Sequence, residues 1–427
     1  MTKLIAKKFF NRLSYHCMQM SNSAFSGQFG DGEAVFNLLL LASKLHPTEA
    51  DKAEVVSLIS QIRNWDLFSE RCAGTHLAPI LHKNLAEYQE QIPQKVLSFL
   101  SNSYNQVLVR NIRFYESFGA MLRKLNGAGI DCVPLKGIYL ADTLYHDLGL
   151  RHLSDIDILI RSKDVDAMIQ MMENDGWSVK KAELRSELEN EEFSPAHPYK
   201  FFQNGVTVEL HTHLYNRNQG AKISEQELWI LTEKADFCGG TIHQFSPEML
   251  LQHLCLHLHK HLVGSELKVL SFCDIRELLE KYKDLFDWKY FRAASQKYNC
   301  LNEVSEILWL CAKYWRTEIP NSFFLDYASN LTLDTRFSSF LTGDSNQISQ
   351  KTQHTVSRSI GQLNQLDGLL PKFKYILGYA FPRPVFMHRH FQLKEGTWLL
   401  PWYLLRVLIL SQKMILALIS KFRNQLR

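Results

Sequence analysis

The stretch SDIDILI, residues 154–160, sets two aspartates on either side of a single isoleucine in an otherwise apolar run. Successive side chains of an extended strand point to opposite faces, so Asp155 and Asp157 share one face while Ile156, Ile158 and Ile160 cover the other. Carboxylates held this close repel each other, and burying either one unpaired is costly. A divalent cation is the natural compensation. This strand requires a core on one side and a charged cleft on the other.

The flanking sequence supplies further parts of such a cleft. After the breaker NGAG, IDCVPLKG (130–137) reads as a short buried strand ending in glycine, and IYLADTLYHD as the helix after it. Ser162 can cap a helix through about Asn174, Gly176 ends it, and WSVKKAE reads as another short strand. In HPYKFFQNGVTVELHTHL, Asn204-Gly205 lies between two β-rich runs and predicts a hairpin, because both turn positions need positive φ. Alternation then places Val206, Val208 and Leu210 on one face, with Thr207, Glu209, His211 and His213 on the other.

If that hairpin packs beside the aspartate strand, Glu209 completes an oxygen-ligand site for Mg²⁺, of the kind that clamps nucleotide phosphates during in-line displacement. Such a site transfers phosphoryl or nucleotidyl groups. Lys136-Gly137 offers a backbone that can approach phosphate, a helix N-terminus that favours anions, and a cation alongside. Arg151, four residues before Asp155, is expected to add a charge-assisted contact to the triphosphate.

The rest of the chain is mostly helical by periodicity. Apolar residues recur at three- and four-residue spacing from about Ala34 to Asn126, and beyond Glu225 the helical pattern resumes and is expected to continue to about Trp315. The division read from the sequence is a helical region over 1–127, an α/β core over 128–222, a second helical domain over 223–330, a linker and loop region over 331–395, and an apolar C-terminal helix over 396–427. The stretch TGDSNQISQKTQHTVSRSIGQLNQ (342–365) reads as a mobile linker or loop, and the acidic run ELRSELENEEF as a solvated helix or loop.

Composition narrows the partners. With 46% apolar and 22% charged residues over 427 positions, neither wholesale disorder nor a polytopic membrane protein is suggested. A formal charge of +4 and no long Lys/Arg run make no demand for nucleic acid and leave anionic small molecules open. The eight cysteines are scattered with no C-x-x-C pair, which fits reduced thiols in a cytoplasm. The basic N-terminus MTKLIAKKFFNRLSYHCMQM is broken by Lys7, Lys8, Asn11 and Arg12, so no export signal is read there. In TWLLPWYLLRVLILSQKMILALISKFRNQLR, Arg406 and Lys413 interrupt the apolar run, disfavouring a spanning helix. Packing against the protein's own helices is favoured there, then peripheral contact with a membrane surface or a partner.

A strand, a turn with a phosphate-binding glycine, a helix, a D-x-D strand and a later strand carboxylate together resemble the polymerase-β-like nucleotidyltransferase superfamily. More narrowly, VPLKGIYLADTLYHDLGLRHLSDIDILI followed by ENDGW, VELHTHL and LLQHLCLHLHKH resembles the bacterial family of uncharacterised nucleotidyltransferases, over roughly residues 50 to 285. The resemblance implies an α+β fold, a small mixed-sheet core flanked by helical domains. It implies catalytic and metal-binding roles for Asp155, Asp157 and Glu209, two Mg²⁺ ions, and an NTP such as ATP as substrate. It places Lys136, Gly137, Arg151 and Ser154 on the nucleotide side. The chain departs from the wider superfamily in carrying Lys136-Gly137 where Gly-Ser is usual, and in a longer spacer to the first aspartate.

Each feature also has a plainer reading. A D-x-D strand is often an exposed sheet face, and Glu209 can be an ordinary polar residue on a hairpin. Lys136 and Arg151 can be surface charges. His253, His257 and His261 recur every four residues, a spacing open to zinc, but no cysteine or carboxylate set of zinc spacing accompanies them. They read better as a half-buried helix face whose histidines bond internally or line the cleft, and the resemblance makes His257 and His261 pocket candidates. His211 and His213 share the face of Glu209, where either can orient a metal ligand or a substrate hydroxyl. The function expected is Mg²⁺-dependent transfer of an NMP group from an NTP to an acceptor hydroxyl with release of pyrophosphate. The alternative is a catalytically inactive nucleotide-binding or scaffold protein of a glycan or natural-product pathway.

Overall fold

The computed structural model describes residues 30–181, 199–214, 223–263 and 267–325 without a break, then scattered positions of which 397–409 is the longest run. The basic N-terminus, the acidic run after Lys181, the 342–365 stretch and the last residues of the C-terminal segment lie outside the described residues.

Five helices come first: α1 (Asp31–Leu41), α2 (Glu49–Gln61), α3 (Trp65–Ala73), α4 (Ala78–Leu85) and the long α5 (Gln94–Gly127). At 1.5 Å per residue the 34 residues of α5 run about 50 Å. Its buried stripe, Val107, Asn111, Phe114, Phe118, Met121, Leu122 and Leu125, keeps the three- and four-residue spacing of one helical face.

The chain then builds a mixed five-stranded sheet in the order β1-β2-β5-β4-β3, from β1 (Cys132–Leu135), β2 (Ile156–Ile160), β3 (Ser178–Lys181), β4 (Tyr199–Gln203) and β5 (Val206–His211). Strand β2 runs antiparallel to β1 and parallel to β5, and the β4–β5 hairpin turns at Asn204 and Gly205, both with positive φ as the sequence demanded. Helix α6 (Lys136–Leu140), extended by a wider turn over Ala141–Tyr145, joins β1 to β2, and α7 (Val165–Asn174) joins β2 to β3. Ile156, Ile158, Leu159 and Ile160 are fully buried. At about 1.5–3 kcal/mol for each such side chain, they anchor β2 firmly enough to hold a carboxylate in a largely dry setting.

Beyond α8 (Glu225–Ile230) the structure departs from the expected uninterrupted helix. Residues 232–245 form a second hairpin, β6 (Thr232–Phe237) and β7 (Gly240–Phe245), turning through Cys238 and Gly239 at φ 50° and 74°. The hairpin packs on β1 and α5, where the Asn126 side chain bonds both the amide and the carbonyl of Thr241. A Cβ on Gly240 would lie 2.7 Å from Asn126 Oδ1 and 2.9 Å from Leu122 Cδ2, so a larger residue would force both side chains to shift. Its strands, TEKADF and GTIHQF, alternate too weakly to stand out against helical neighbours.

Helices α9 (Pro247–Val263), α10 (Val269–Tyr282), α11 (Trp288–Lys297) and α12 (Leu301–Trp315) complete the body. Helix α10 ties its two ends together: Arg276 donates to the Ser43 carbonyl at 2.6 Å beyond α1, and Phe272 stacks on Trp315 with centroids 4.3 Å apart. The seven described cysteines are unpaired. No helix among the described residues is long and apolar enough to cross a membrane. Residues 400–409 are helical, with Leu400, Leu404, Leu405 and Leu408 exposed and Arg406 buried.

Candidate active site

The parallel pairing of β2 with β5 sets Asp157 directly beside Glu209. Paired residues share a sheet face, and His211, two positions on, shares it too. One ligand atom from each of Asp157, Glu209 and His211 lies within 4.8 Å of the others. Asp155 sits just ahead of β2, two residues before Asp157, with Ser154 donating to its Oδ1 at 2.8 Å.

Two cationic or polar partners meet on one oxygen. Asp157 Oδ1 accepts from Lys136 Nζ at 2.9 Å and lies 2.7 Å from His211 Nε2. Lys136 reaches it from the first residue of α6, where its φ of 46° is left-handed, an uncommon state for a residue with a Cβ. Glu209 pairs with Lys200, its cross-strand neighbour on β4.

These contacts decide which acid ionises. Burial works against a charged Asp157, but Lys136 and His211 outweigh it and hold its carboxyl well below the usual range. Asp155 goes the other way: burial and then the neighbouring charge of Asp157 push it up to about 6, with Glu209 adding to the effect. Burial also lowers His211, against the pull of Asp157. Adjacent carboxyls driven in opposite directions are what crowding of negative charge produces, and a bound cation relieves it. Two carboxylates with an imidazole suit a divalent metal, so the residues fit the group the sequence implied, although a mixed O/N set does not single out Mg²⁺.

Helix α9 brings His253 and His257 within reach of the Lys136 charge. Burial, then the charge of Lys136, lowers both His253 and His257 well below the ordinary imidazole value. His257 and His261 touch through their Nε2 atoms at 3.1 Å. His213 follows β5, and its buried Nδ1 has no hydrogen-bond partner among the described residues.

Arg151 takes a different partner from the one expected. Its Nε and Nη2 form a two-pronged pair with Asp274 of α10 at 2.9 and 2.7 Å, and the Tyr145 hydroxyl donates to the same carboxylate at 2.8 Å. All three residues are buried. The guanidinium therefore braces the fold, with Nη1 only 2.9 Å from where a Cβ on Gly137 would sit. A side chain at Gly137 would push against Arg151 Nη1 and Leu153 Cδ2. Lys200 was not read as a site residue, yet the hairpin gives it away: counting outward from the two-residue turn at Asn204-Gly205 pairs Lys200 with Glu209. Asp274 lies 123 residues from Arg151, and no local pattern announces it.

A mixed sheet thus presents adjacent strand carboxylates beside a strand-turn-helix. The chain belongs to the family described as uncharacterised nucleotidyltransferases, which it matches over residues 62–316. No curated protein matches it. Among solved structures, an antigenic nucleotidyltransferase-like protein from Paracoccidioides brasiliensis is similar at 16% identity, covering 52% of this chain and 96% of that one with a TM-score of 0.27.

Proposed function

We propose that this protein is a Mg²⁺-dependent nucleotidyltransferase that moves an NMP group from an NTP to an acceptor hydroxyl and releases pyrophosphate. The observation that carries the reading is the register of β2 on β5, which sets Asp157 against Glu209 on the face that also bears His211. In this reading Asp155, Asp157 and Glu209 hold the metal ions, which would screen charge on the α-phosphate and favour loss of the acceptor proton. The acceptor oxygen bonds to the α-phosphorus as the bond to pyrophosphate breaks, and the hydroxyl proton leaves toward the Glu209 side of the cleft. His211 steadies Asp157, and with a metal on Asp157 the Lys136 ammonium would be free to contact the phosphates beside the backbone of Gly137 and Ser154. His213, His257 and His261 line the acceptor side, where His257, its imidazole held well below the ordinary value by burial, accepts a hydrogen bond.

The test uses purified protein, Mg²⁺ and NTP labelled at the α-phosphorus, with candidate acceptors and cell extract. Label should pass to an acceptor with pyrophosphate released, and Asp157→Ala should abolish both. Labelling that survives Asp157→Ala would overturn the assignment. A second reading, a nucleotide-binding scaffold without turnover, is favoured by one observation: Lys136, His211 and Lys200 already engage the carboxylates. Tight MgATP binding without pyrophosphate release across all acceptors would decide for it.

A further inference from the structure

One row of residues runs straight across the sheet through the candidate centre. Leu135 of β1 pairs with Asp157 of β2, Asp157 with Glu209 of β5, and Glu209 with Lys200 of β4. Residues in register share a face, and neighbouring strands lie about 4.8 Å apart. Lys200 therefore stands one spacing from Glu209 and about 10 Å from Asp157 along the row. Lys136 follows Leu135 at the β1 end, and Lys200 stands at the β4 end.

Each ammonium takes its own carboxylate. Lys136 donates to Asp157 Oδ1, and Lys200 donates to Glu209 Oε1. Two acids side by side are thus neutralised by one cation from either flank. The flanks differ in their surroundings: the Lys200 side chain is 36% exposed and that of Lys136 only 14%. On the face that bears Lys200, two positions along β4, Phe202 is 38% exposed and sets an aromatic ring beside the lysine. A divalent cation that takes Glu209 repels the ammonium from the same oxygen. Lys200 is then a charge donor held by β4 next to the centre, on the side away from the Lys136-Gly137 turn.

We propose that Lys200 competes with the metal for Glu209 and, once displaced, holds an anionic group carried by the acceptor. Position says which reactant brings the anion. With the triphosphate beside Lys136-Gly137, the β4 end of the row is left to the acceptor. Its anionic group then lies about 5 Å, one strand spacing, from the hydroxyl that faces Glu209. The acceptor half of this statement rests on the nucleotidyl-transfer reading, whereas the competition for Glu209 does not.

Calorimetric titration with Mn²⁺, without nucleotide, tests the competition. Lys200→Met should bind Mn²⁺ severalfold more tightly than wild type, and Lys200→Arg, which keeps the charge, should bind it as wild type does. Equal or weaker Mn²⁺ binding by Lys200→Met overturns the proposal. Sulfate, titrated into protein already holding Mn²⁺ and a non-hydrolysable ATP analogue, tests the acceptor half. Wild-type protein should bind sulfate, and Lys200→Met should bind it about tenfold more weakly while its affinity for the analogue is unchanged. Absence of sulfate binding in wild type, or equal binding in the variant, overturns that half. Weaker binding of the analogue by Lys200→Met assigns the ammonium to the nucleotide and overturns it too. Failure of the nucleotidyl-transfer reading would show separately, as wild-type protein that binds Mn²⁺ but not the analogue, and would remove the acceptor half alone.

Discussion

Replacing Asp274 by alanine strips the Arg151 guanidinium of both its carboxylate contacts and the Tyr145 hydroxyl of its acceptor. Asp274 is 1% exposed and Arg151 8%, so water cannot readily substitute. Removing one partner of a buried pair leaves an uncompensated charge, which costs about 3–5 kcal/mol. With a urea m value of about 3 kcal/mol/M, the unfolding midpoint should fall by about 1–1.7 M. Tryptophan fluorescence in a urea titration reads this directly. The double variant Arg151→Met, Asp274→Leu replaces the pair by apolar side chains of similar size and should recover most of the loss, because both desolvated charges go together. A midpoint for Asp274→Ala within about 0.2 M of wild type would refute the reasoning, as would a double variant less stable than the single one. Either result would mean that Arg151 is solvated and free to serve the triphosphate.

Lys136→Met removes the ammonium that competes for Asp157 Oδ1, so Mn²⁺ should bind severalfold more tightly by calorimetry while MgATP binds more weakly; a loss of metal affinity would contradict the exchange. Asp155 has a folded pKa of about 6 against an ordinary 3.8, so its contribution to stability is full below about 3.8 and is lost as pH rises through 6. In EDTA, Asp155→Asn should therefore gain stability over wild type between pH 4 and 8 by about 2–3 kcal/mol in urea titrations, and a flat difference would count against the crowding of carboxylates. The exposed leucines of 400–409, with Lys413, Lys421, Arg423 and Arg427 after them and no acidic residue from Gly396 onward, should carry wild-type protein up with anionic liposomes. Leu404→Asp with Leu408→Asp should abolish this flotation, and equal flotation would exclude the helix as the contact.

What the sequence disclosed is what local chemistry dictates. Asn204-Gly205 can hardly be anything but a hairpin turn, and period-two alternation assigned Asp157 and Glu209 to their faces before any pairing was known. The hairpin even fixes Lys200 opposite Glu209. The choice of β5 as the parallel neighbour of β2 is not local: the two strands lie about fifty residues apart, and only the resemblance to a family suggested their meeting. Arg151 illustrates the opposite failure. Its place four residues before an aspartate suggested phosphate, and a partner on a distant helix claimed it instead. The β6–β7 hairpin was hidden because its strands carry three charged residues against four apolar ones, and only Cys238-Gly239-Gly240 marked the turn.

The central claim is that Asp157 and Glu209, brought into register by β2 and β5, form a metal centre that serves a nucleotide. Mn²⁺ binding, followed by electron paramagnetic resonance with and without a non-hydrolysable ATP analogue, tests it most directly. Wild-type protein should bind Mn²⁺ more tightly when the analogue is present, and Asp157→Asn and Glu209→Gln should each lose that binding. Mn²⁺ affinity equal in wild type and both variants would contradict the account.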